Sequence, residues 1–285
     1  MDPDQILNSL YEEYDVIEDS AVKTTACTSP GIPKTCNLDS PKPLWDRPAP
    51  QRLRKISPVS LTRVDCQEKL IICLDISAEV RDKHNHCDIL EKVVEVLLKG
   101  KHRINQCHEF ALIILQETAA WITGFTNKLD EIVLNVKNAQ NDLNKHETAS
   151  ITSIFELLNE KLNLPMSSLD SLSCPEHVVR TILVYSRSTC IPDIDTENLA
   201  FKKLMNSPNF FFDLLYLHSD LDPEKSQAVY NKLITMNIPR SSYVFALPFK
   251  KCNGIYKAVA TLLAHPLRRP LQHEFKYEMN SFQKQ

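Results

Sequence analysis

Oxygen-bearing side chains follow the first strongly apolar segment of the chain, residues 69–75. Asp75 ends this segment, and Ser77 and Glu79 come two and four positions later. A short continuous apolar run is typical of a strand buried on both faces of a sheet, and ligands of open α/β sheets bind beyond the carboxyl ends of the strands. Because Mg²⁺ prefers carboxylate and hydroxyl oxygens, these three residues are candidate metal ligands.

Histidines and cysteines cluster soon afterwards, which raises the alternative of a zinc site. The candidate ligands are His84, His86, Cys87, Asp88, His102, Cys107 and His108. Zinc sites usually pair two short ligand steps that lie a dozen or more residues apart. Here most candidates are crowded into one loop before a predicted helix. We therefore expect Asp88 or Asn85 to cap that helix, with the histidines in solvent.

Glycine-dependent catalytic motifs are missing from the sequence. The four glycines are Gly31, Gly100, Gly124 and Gly254, and none belongs to a phosphate-binding loop, a dinucleotide-binding fingerprint or a nucleophile elbow. Such loops need glycine so that the backbone can approach the ligand closely. The sequence therefore predicts a protein that is not an enzyme and needs no cofactor.

The composition indicates an ordinary globular protein. Of 285 residues, 43% are apolar and 24% charged, and the net charge is −3. This charge favours neither nucleic acid nor a membrane as partner, and there is no apolar run of about 18 residues. Nine scattered cysteines without a Cys-x-x-Cys pair, and an acidic start without an apolar stretch, favour a location in the cytoplasm and nucleus.

The first sixty or so residues differ from the rest. Residues 20–60 are rich in proline, serine, threonine and lysine and show no apolar periodicity. We expect residues 1–62 to form a disordered arm, with a short acidic helix over 4–19 that either frays or folds onto a partner.

From about residue 63, apolar runs alternate with amphipathic segments. The runs predict strands at 69–75, 110–115, 119–124, 178–185, 210–217 and 243–247, and the amphipathic segments predict helices at 88–99, 129–143, 151–162, 196–205, 222–236 and 254–264. We predict one α/β domain over 63–265, a doubly wound, mostly parallel six-stranded Rossmann-type sheet with helices on both faces. The short strand at 119–124 would form a hairpin at one edge, and residues 266–285 would form a C-terminal tail.

The motif after the first strand resembles that of the von Willebrand factor A domain. That family carries Asp-x-Ser-x-Ser after its first strand, a threonine before its third helix and an aspartate after its fourth strand. The corresponding positions here are Asp75, Ser77, Glu79, Thr152 and Ser186. Glu79 replaces a serine, Ser186 replaces the aspartate, and Arg187 adds a positive charge. The resemblance implies a degenerate metal site that binds no metal; the alternative is a metal-dependent ligand-binding domain that uses the Asp75 crevice.

Longer segments resemble a narrower family within this fold. Residues 69–77, 108–112, 120–124, 179–187, 210–213 and 262–270 are similar to the von Willebrand A-like scaffold subunit of the BRISC and BRCA-type A deubiquitinase assemblies. The resemblance implies a non-catalytic adaptor in ubiquitin signalling and the DNA damage response. Its direct partner would be a subunit with ubiquitin-conjugating-enzyme-like folds, in one assembly with the metalloprotease deubiquitinase and that enzyme's own scaffold partner.

The start of the tail is a candidate docking peptide. It consists of Pro266, Leu267, Arg268, Arg269 and Pro270. Proline restricts the backbone, and the two arginines would offer fork-shaped donors to carboxylates of a partner. Residue types alone favour an ordinary helix stop with solvated charges, whereas the family resemblance favours docking.

Overall fold

The strands of the computed structural model lie close to the predicted apolar runs. They are β1 (Gln67–Asp75), β2 (Glu109–Leu115), β3 (Ala119–Thr126), β4 (His177–Tyr185), β5 (Phe210–His218) and β6 (Val244–Pro248). The structure describes residues 66–76, 86–141, 148–162, 175–219, 221–236, 238–239 and 241–272. The predicted arm, Ser77, Glu79 and His84 lie outside these ranges. None of the helices within them is both long and apolar enough to cross a membrane.

The strands form one sheet in the order β3-β2-β1-β4-β5-β6. Neighbouring strands are parallel except β2 and β3, which form the antiparallel hairpin expected at the edge. This order confirms the predicted doubly wound, mostly parallel sheet. Because the other five strands run in the same direction, the loops that follow β1, β2 and β4 meet along one carboxyl edge.

The helices are α1 (His86–Ile104), α2 (Leu129–Asn141), α3 (Thr152–Lys161), α4 (Leu199–Met205), α5 (Pro223–Leu233) and α6 (Cys252–Leu262). Helix α5 begins as predicted, because the Asp222 side chain accepts a hydrogen bond from Lys225 N at 3.0 Å and Pro223 occupies the first turn. Helix α4 starts three residues later than predicted, since the Asn198 side chain caps it. Of the two predicted caps of α1, Asp88 lies in its first turn, and Asn85 lies outside the described residues.

Apolar side chains fill both faces of the sheet. Leu70 and Ile72 of β1 pack with α1, α2 and α6, whereas Ile71 and Cys73 pack with α3, α4 and α5. Successive side chains of a strand point to opposite faces, so β1 must be apolar throughout. Each fully buried aliphatic side chain of this kind contributes about 1.5–3 kcal/mol, and together they hold the strand ends that position the polar residues.

Candidate functional site

The Asp75 carboxylate lies at the carboxyl end of β1 and is fully buried. Its Oδ2 accepts hydrogen bonds from the Ser186 backbone N at 3.0 Å and from Ser186 Oγ at 3.2 Å. Ser186 Oγ also lies 2.9 Å from the Asp75 carbonyl oxygen, to which it can donate. Ser186 directly follows β4, which pairs with β1. The parallel register therefore brings together two predicted site positions that are 111 residues apart.

Arg187 fills the space beside this carboxylate. Its Nε donates to Asp75 Oδ1 at 2.9 Å, and its Nη1 donates to the Thr148 carbonyl at 2.6 Å. Its Nη2 donates to the Gln116 carbonyl. Only 1% of the Arg187 side chain is exposed. These residues, Asp75, Gln116, Thr148, Ser186 and Arg187, are called here the carboxyl-edge crevice.

Burial is the largest single influence on the pKa values of Asp75 and Arg187. It raises the pKa of Asp75, although Arg187 and the Ser186 hydrogen bonds act in the opposite direction. Burial lowers the pKa of Arg187, but Asp75, Tyr185 and Cys190 together outweigh it and keep that pKa above its ordinary value. Three donors directed at one carboxyl group suit its ionised form. The crevice is therefore built around an ion pair without solvent contact.

The crevice residues do not fit a divalent metal. A cation at Asp75 would meet the Arg187 guanidinium, which already occupies one carboxylate oxygen, and like charges at such a distance repel strongly. Thr152, the predicted threonine ligand, begins α3, and its Oγ1 accepts a hydrogen bond from Asp195 N at 2.8 Å. Within the described ranges, no group of three or more histidine, cysteine or acidic side chains could hold a metal ion.

The candidate zinc ligands are dispersed. His86 stacks on Phe249 with 3.8 Å between ring centroids. His108 Nδ1 accepts a hydrogen bond from Glu68 N at 3.0 Å, and Cys107 is exposed. The expectation of solvated histidines is wrong for His108, of which only 1% is exposed. Burial of this histidine is tolerated because its Nδ1 accepts a backbone hydrogen bond from Glu68, which belongs to a second polar region.

That second region is an ionic network at the opposite end of the sheet. It consists of Glu68, Lys101, Arg180, Asp213 and Arg269, whose side chains are at most 1% exposed. Lys101 pairs with Glu68, and Arg180 Nη1 lies 3.5 Å from Glu68 Oε2. Arg180 Nε donates to Asp213 Oδ2 at 2.7 Å. Charged side chains are rarely buried unless paired, and this buried ionic network satisfies that condition.

Arg269 joins the network from the C-terminal segment. Its Nη1 and Nη2 donate to the two oxygens of Asp213 at 2.9 and 2.6 Å. Its Nε and Nη2 also donate to the Ser241 carbonyl at 3.1 and 2.8 Å, and its guanidinium lies 4.1 Å from the centre of the Tyr243 ring. The expectation that Arg269 offers its donors to a partner is therefore not met in this structure, since the domain's own Asp213 takes them.

The network holds its acidic groups ionised. Burial raises the pKa of both Glu68 and Asp213. Lys101, Arg180 and His265 outweigh this effect at Glu68, and Arg180 and Arg269 outweigh it at Asp213, so both pKa values lie below the ordinary range. Burial lowers the pKa of Lys101 to about 8 despite the opposing effect of Glu68. For the two carboxylates, the basic partners stabilise the charged form more than burial destabilises it. For Lys101, burial has the larger effect.

Residues 265–272, called here the C-terminal strap, lie against the domain. Pro266 is buried, and Arg268 and Pro270 are exposed. Leu267 packs against the small apolar cluster of Cys66, Val178 and Phe211. Tyr243 Oη donates to the Pro270 carbonyl at 2.7 Å. The predicted boundary between domain and tail, at 265/266, therefore falls inside a packed segment. Of the predicted docking residues, the structure turns Arg268 and Pro270 outward and Arg269 inward.

The strap also covers part of the edge strand β6. Gln272 Oε1 accepts a hydrogen bond from Val244 N at 2.8 Å, and Gln272 Nε2 donates to Val244 O at 2.8 Å. A single side-chain amide thus occupies both backbone groups of one edge residue. Unpaired strand edges are templates for unwanted pairing, so this contact protects β6.

Comparison with known proteins identifies close relatives. No family model matches the chain. BRISC and BRCA1-A complex member 1 of Rattus norvegicus is 33% identical over 253 residues, covering 84% of this chain and 74% of the relative. The Homo sapiens protein of the same name is 30% identical over 231 residues, covering 76% and 69%.

Among solved structures, the SpRpn10 VWA domain has a TM-score of 0.46 at 12% identity, covering 71% of this chain and 97% of that domain. The TFIIH p34 N-terminal domain has a TM-score of 0.45 at 11% identity, covering 68% and 97%. The sequence relatives show the family directly, because their identity extends over most of both chains. This chain belongs to the family of BRISC and BRCA1-A complex member 1.

Proposed function

We propose that this chain is a non-catalytic scaffold subunit of a metalloprotease deubiquitinase complex. The observation that carries the proposal is its 33% identity, over 84% of its length, to a protein named as a complex member. The crevice supports it, because Arg187 fills the position beside Asp75 where an active domain of this fold would need an open ligand site. The chain would stabilise the complex and help recruit it in ubiquitin signalling and the DNA damage response.

The direct partner, in this proposal, is the subunit with ubiquitin-conjugating-enzyme-like folds. The metalloprotease and its own scaffold partner belong to the same assembly, which works in both cytoplasm and nucleus. Neither nucleic acid nor a membrane takes part. The near-neutral net charge of −3 agrees with recognition of proteins through local surfaces rather than a charged field.

We place the docking surface on the exposed side of the C-terminal strap. Arg268 and Pro270 are exposed, whereas Arg269 bonds both oxygens of Asp213 and Tyr243 Oη bonds the Pro270 carbonyl. The partner would meet Arg268 and Pro270 on a strap that is already ordered. Because a pre-ordered surface loses less conformational entropy on binding than a flexible peptide does, Arg269 would assist docking without touching the partner.

The test is affinity capture from cell extract followed by quantitative mass spectrometry. We expect the full chain to recover a metalloprotease deubiquitinase assembly and Arg268→Glu to recover at least tenfold less, about 1.4 kcal/mol of binding. Lys128→Glu is the matched control, because it makes the same charge change on an exposed residue at the β3 side of the sheet. Equal recovery by Arg268→Glu and the wild type would contradict docking through the strap. Failure of the wild-type chain to recover the assembly would contradict the scaffold function.

Truncation is a poorer test than point substitution. Removing everything after Ala264 would also remove Arg269, leaving the buried Asp213 with only one of its two guanidinium partners, Arg180. Breaking buried ion pairs on one side is strongly destabilising. Loss of binding by the shortened chain would then report unfolding as well as loss of the docking surface.

A further inference from the structure

We infer that Arg187 is a built-in cation that takes the place of a bound metal in holding the carboxyl-edge crevice together. Its guanidinium contacts the Asp75 carboxylate and the backbone carbonyls of Gln116 and Thr148. These partners lie at the end of β1, after β2 and just before α3. One side chain thus connects three segments to the loop that follows β4. A metal ion that binds ligands from several loops would connect them in the same way. This inference is independent of the proposed scaffold function.

The charges in the crevice favour a guanidinium over a divalent ion. Asp75 carries one negative charge and is fully buried, so one positive charge neutralises it. A divalent ion at the same carboxylate would leave excess positive charge in a region that water does not reach, next to Arg187. Uncompensated buried charge is costly. The planar guanidinium also supplies several fixed donors, which suit one carboxylate and two carbonyl oxygens.

The hydroxyl groups around Arg187 form hydrogen bonds within the protein, as expected if Arg187 takes the place of a metal ion. Ser186 donates from both its backbone N and its Oγ toward Asp75, so its contacts to Asp75 serve as hydrogen bonds rather than metal coordination. Thr152 Oγ1 accepts the hydrogen bond of Asp195 N, which connects α3 to the loop after β4. Among the residues that the structure describes, Arg187 therefore lies at the centre of the hydrogen bonds that connect the polar groups of the crevice.

The consequence is that the loops of this edge are ordered whether or not divalent cations are present. The first measurement is amide hydrogen exchange of the full-length wild type in EDTA and in millimolar MgCl₂ or MnCl₂, accompanied by thermal unfolding. We expect the same exchange protection at 116–119, 148–153 and 186–190 and the same Tm in each buffer. Increased protection or a higher Tm with either cation would overturn the inference, because a ligand that binds only the folded state must stabilise it.

The second measurement uses two substitutions of Arg187. Arg187→Met removes the charge and all donors, and Arg187→Lys keeps the charge but replaces the planar fork by one compact ammonium. We expect both variants to lose protection at 116–119 and 148–153, with at least tenfold faster exchange. Residues 241–247, which the C-terminal strap contacts, should keep their protection. Lys128→Met is the control for removal of an exposed basic side chain. If Arg187→Met does not fold, Arg187→Lys and the wild-type cation series still decide. Wild-type protection in Arg187→Lys would overturn the inference.

Discussion

The two ends of the sheet both bury charge, but they arrange it differently. At the carboxyl edge, one carboxylate faces one guanidinium, whose other donors bond backbone carbonyls. In the buried ionic network, two carboxylates face three basic side chains that come from β4, α1 and the C-terminal strap. The carboxyl-edge pair therefore fastens loops to one another, whereas the network fastens the strap and α1 to the sheet.

The difference shows how one fold separates two tasks. Open α/β sheets carry ligand sites at the carboxyl edge, and here the described residues of that edge bond one another through Arg187. The surface proposed for docking lies on the strap, over the other end. Ordering the strap requires Arg269 to be bonded within the domain, so stability of the network and presentation of Arg268 are linked through one residue.

The largest expected effect is the loss of a network carboxylate. Asp213→Ala leaves Arg180 and Arg269 buried without their shared partner, and we expect a loss of about 3–5 kcal/mol in the free energy of unfolding. Asp75→Ala should cost less, about 1.5–3 kcal/mol, because Arg187 keeps two carbonyl partners. Urea unfolding measures both, with the exposed Glu160→Ala as control at about 0.5 kcal/mol or less. Equal losses at Asp213 and Asp75 would contradict the distinction between the two ends.

Acid titration should separate the two ends by sign. Glu68 and Asp213 have lowered pKa values, so near pH ~4 the unfolded chain binds more protons than the folded one, and their stabilisation is lost as the pH falls. Asp75 has a raised pKa, so the folded state takes up its proton first and its contribution rises as the pH falls toward ~4.

We therefore expect Asp213→Asn to lose less stability on acidification than the wild type, and Asp75→Asn to lose more. Urea unfolding between about pH 3 and pH 7 measures both slopes. The same change of slope in both variants would show that the two carboxylates titrate alike, against this account.

The smallest expected effect concerns the strap at the edge strand. Gln272→Ala removes the two hydrogen bonds to Val244, and we expect a loss of about 0.5–1.5 kcal/mol and faster amide exchange at Val244. Gln227→Ala is the control, because its side-chain amide donates to Asn231 on the surface of α5. Unchanged exchange at Val244 would mean that the strap does not cover β6 in solution.

The sequence alone predicts most of the fold. Apolar runs place the six strands and indicate the edge hairpin, because a strand buried on both faces is apolar at nearly every position. Helical periodicity places the helices between them. Helix ends are less well predicted: Asn198 starts α4 through a side-chain hydrogen bond that has no apolar signature. The approach of Ser186 to Asp75 follows from parallel strands ending at one edge, and the family resemblance already pointed to both positions.

The buried ionic network was missed, and its absence from the prediction has a physical reason. A signal existed, because Arg180 and Asp213 each interrupt an otherwise apolar run and charge inside such a run must be paired. Their partners Glu68 and Arg269 lie on other elements, far along the chain, and spacing cannot connect them. Arg269 was expected to face a partner for the same reason. The sequence shows that an arginine is present but not which carboxylate it contacts.

The most direct test of the scaffold proposal is the enzymatic activity of what the chain captures. The tagged full-length protein is purified from cell extract, and both the eluate and the chain expressed alone are incubated with ubiquitin chains of defined linkages. We predict that the eluate cleaves one linkage preferentially, that a zinc chelator abolishes the cleavage, and that the isolated chain cleaves none. Cleavage by the isolated chain, or an eluate without chelator-sensitive deubiquitinase activity, would contradict the account.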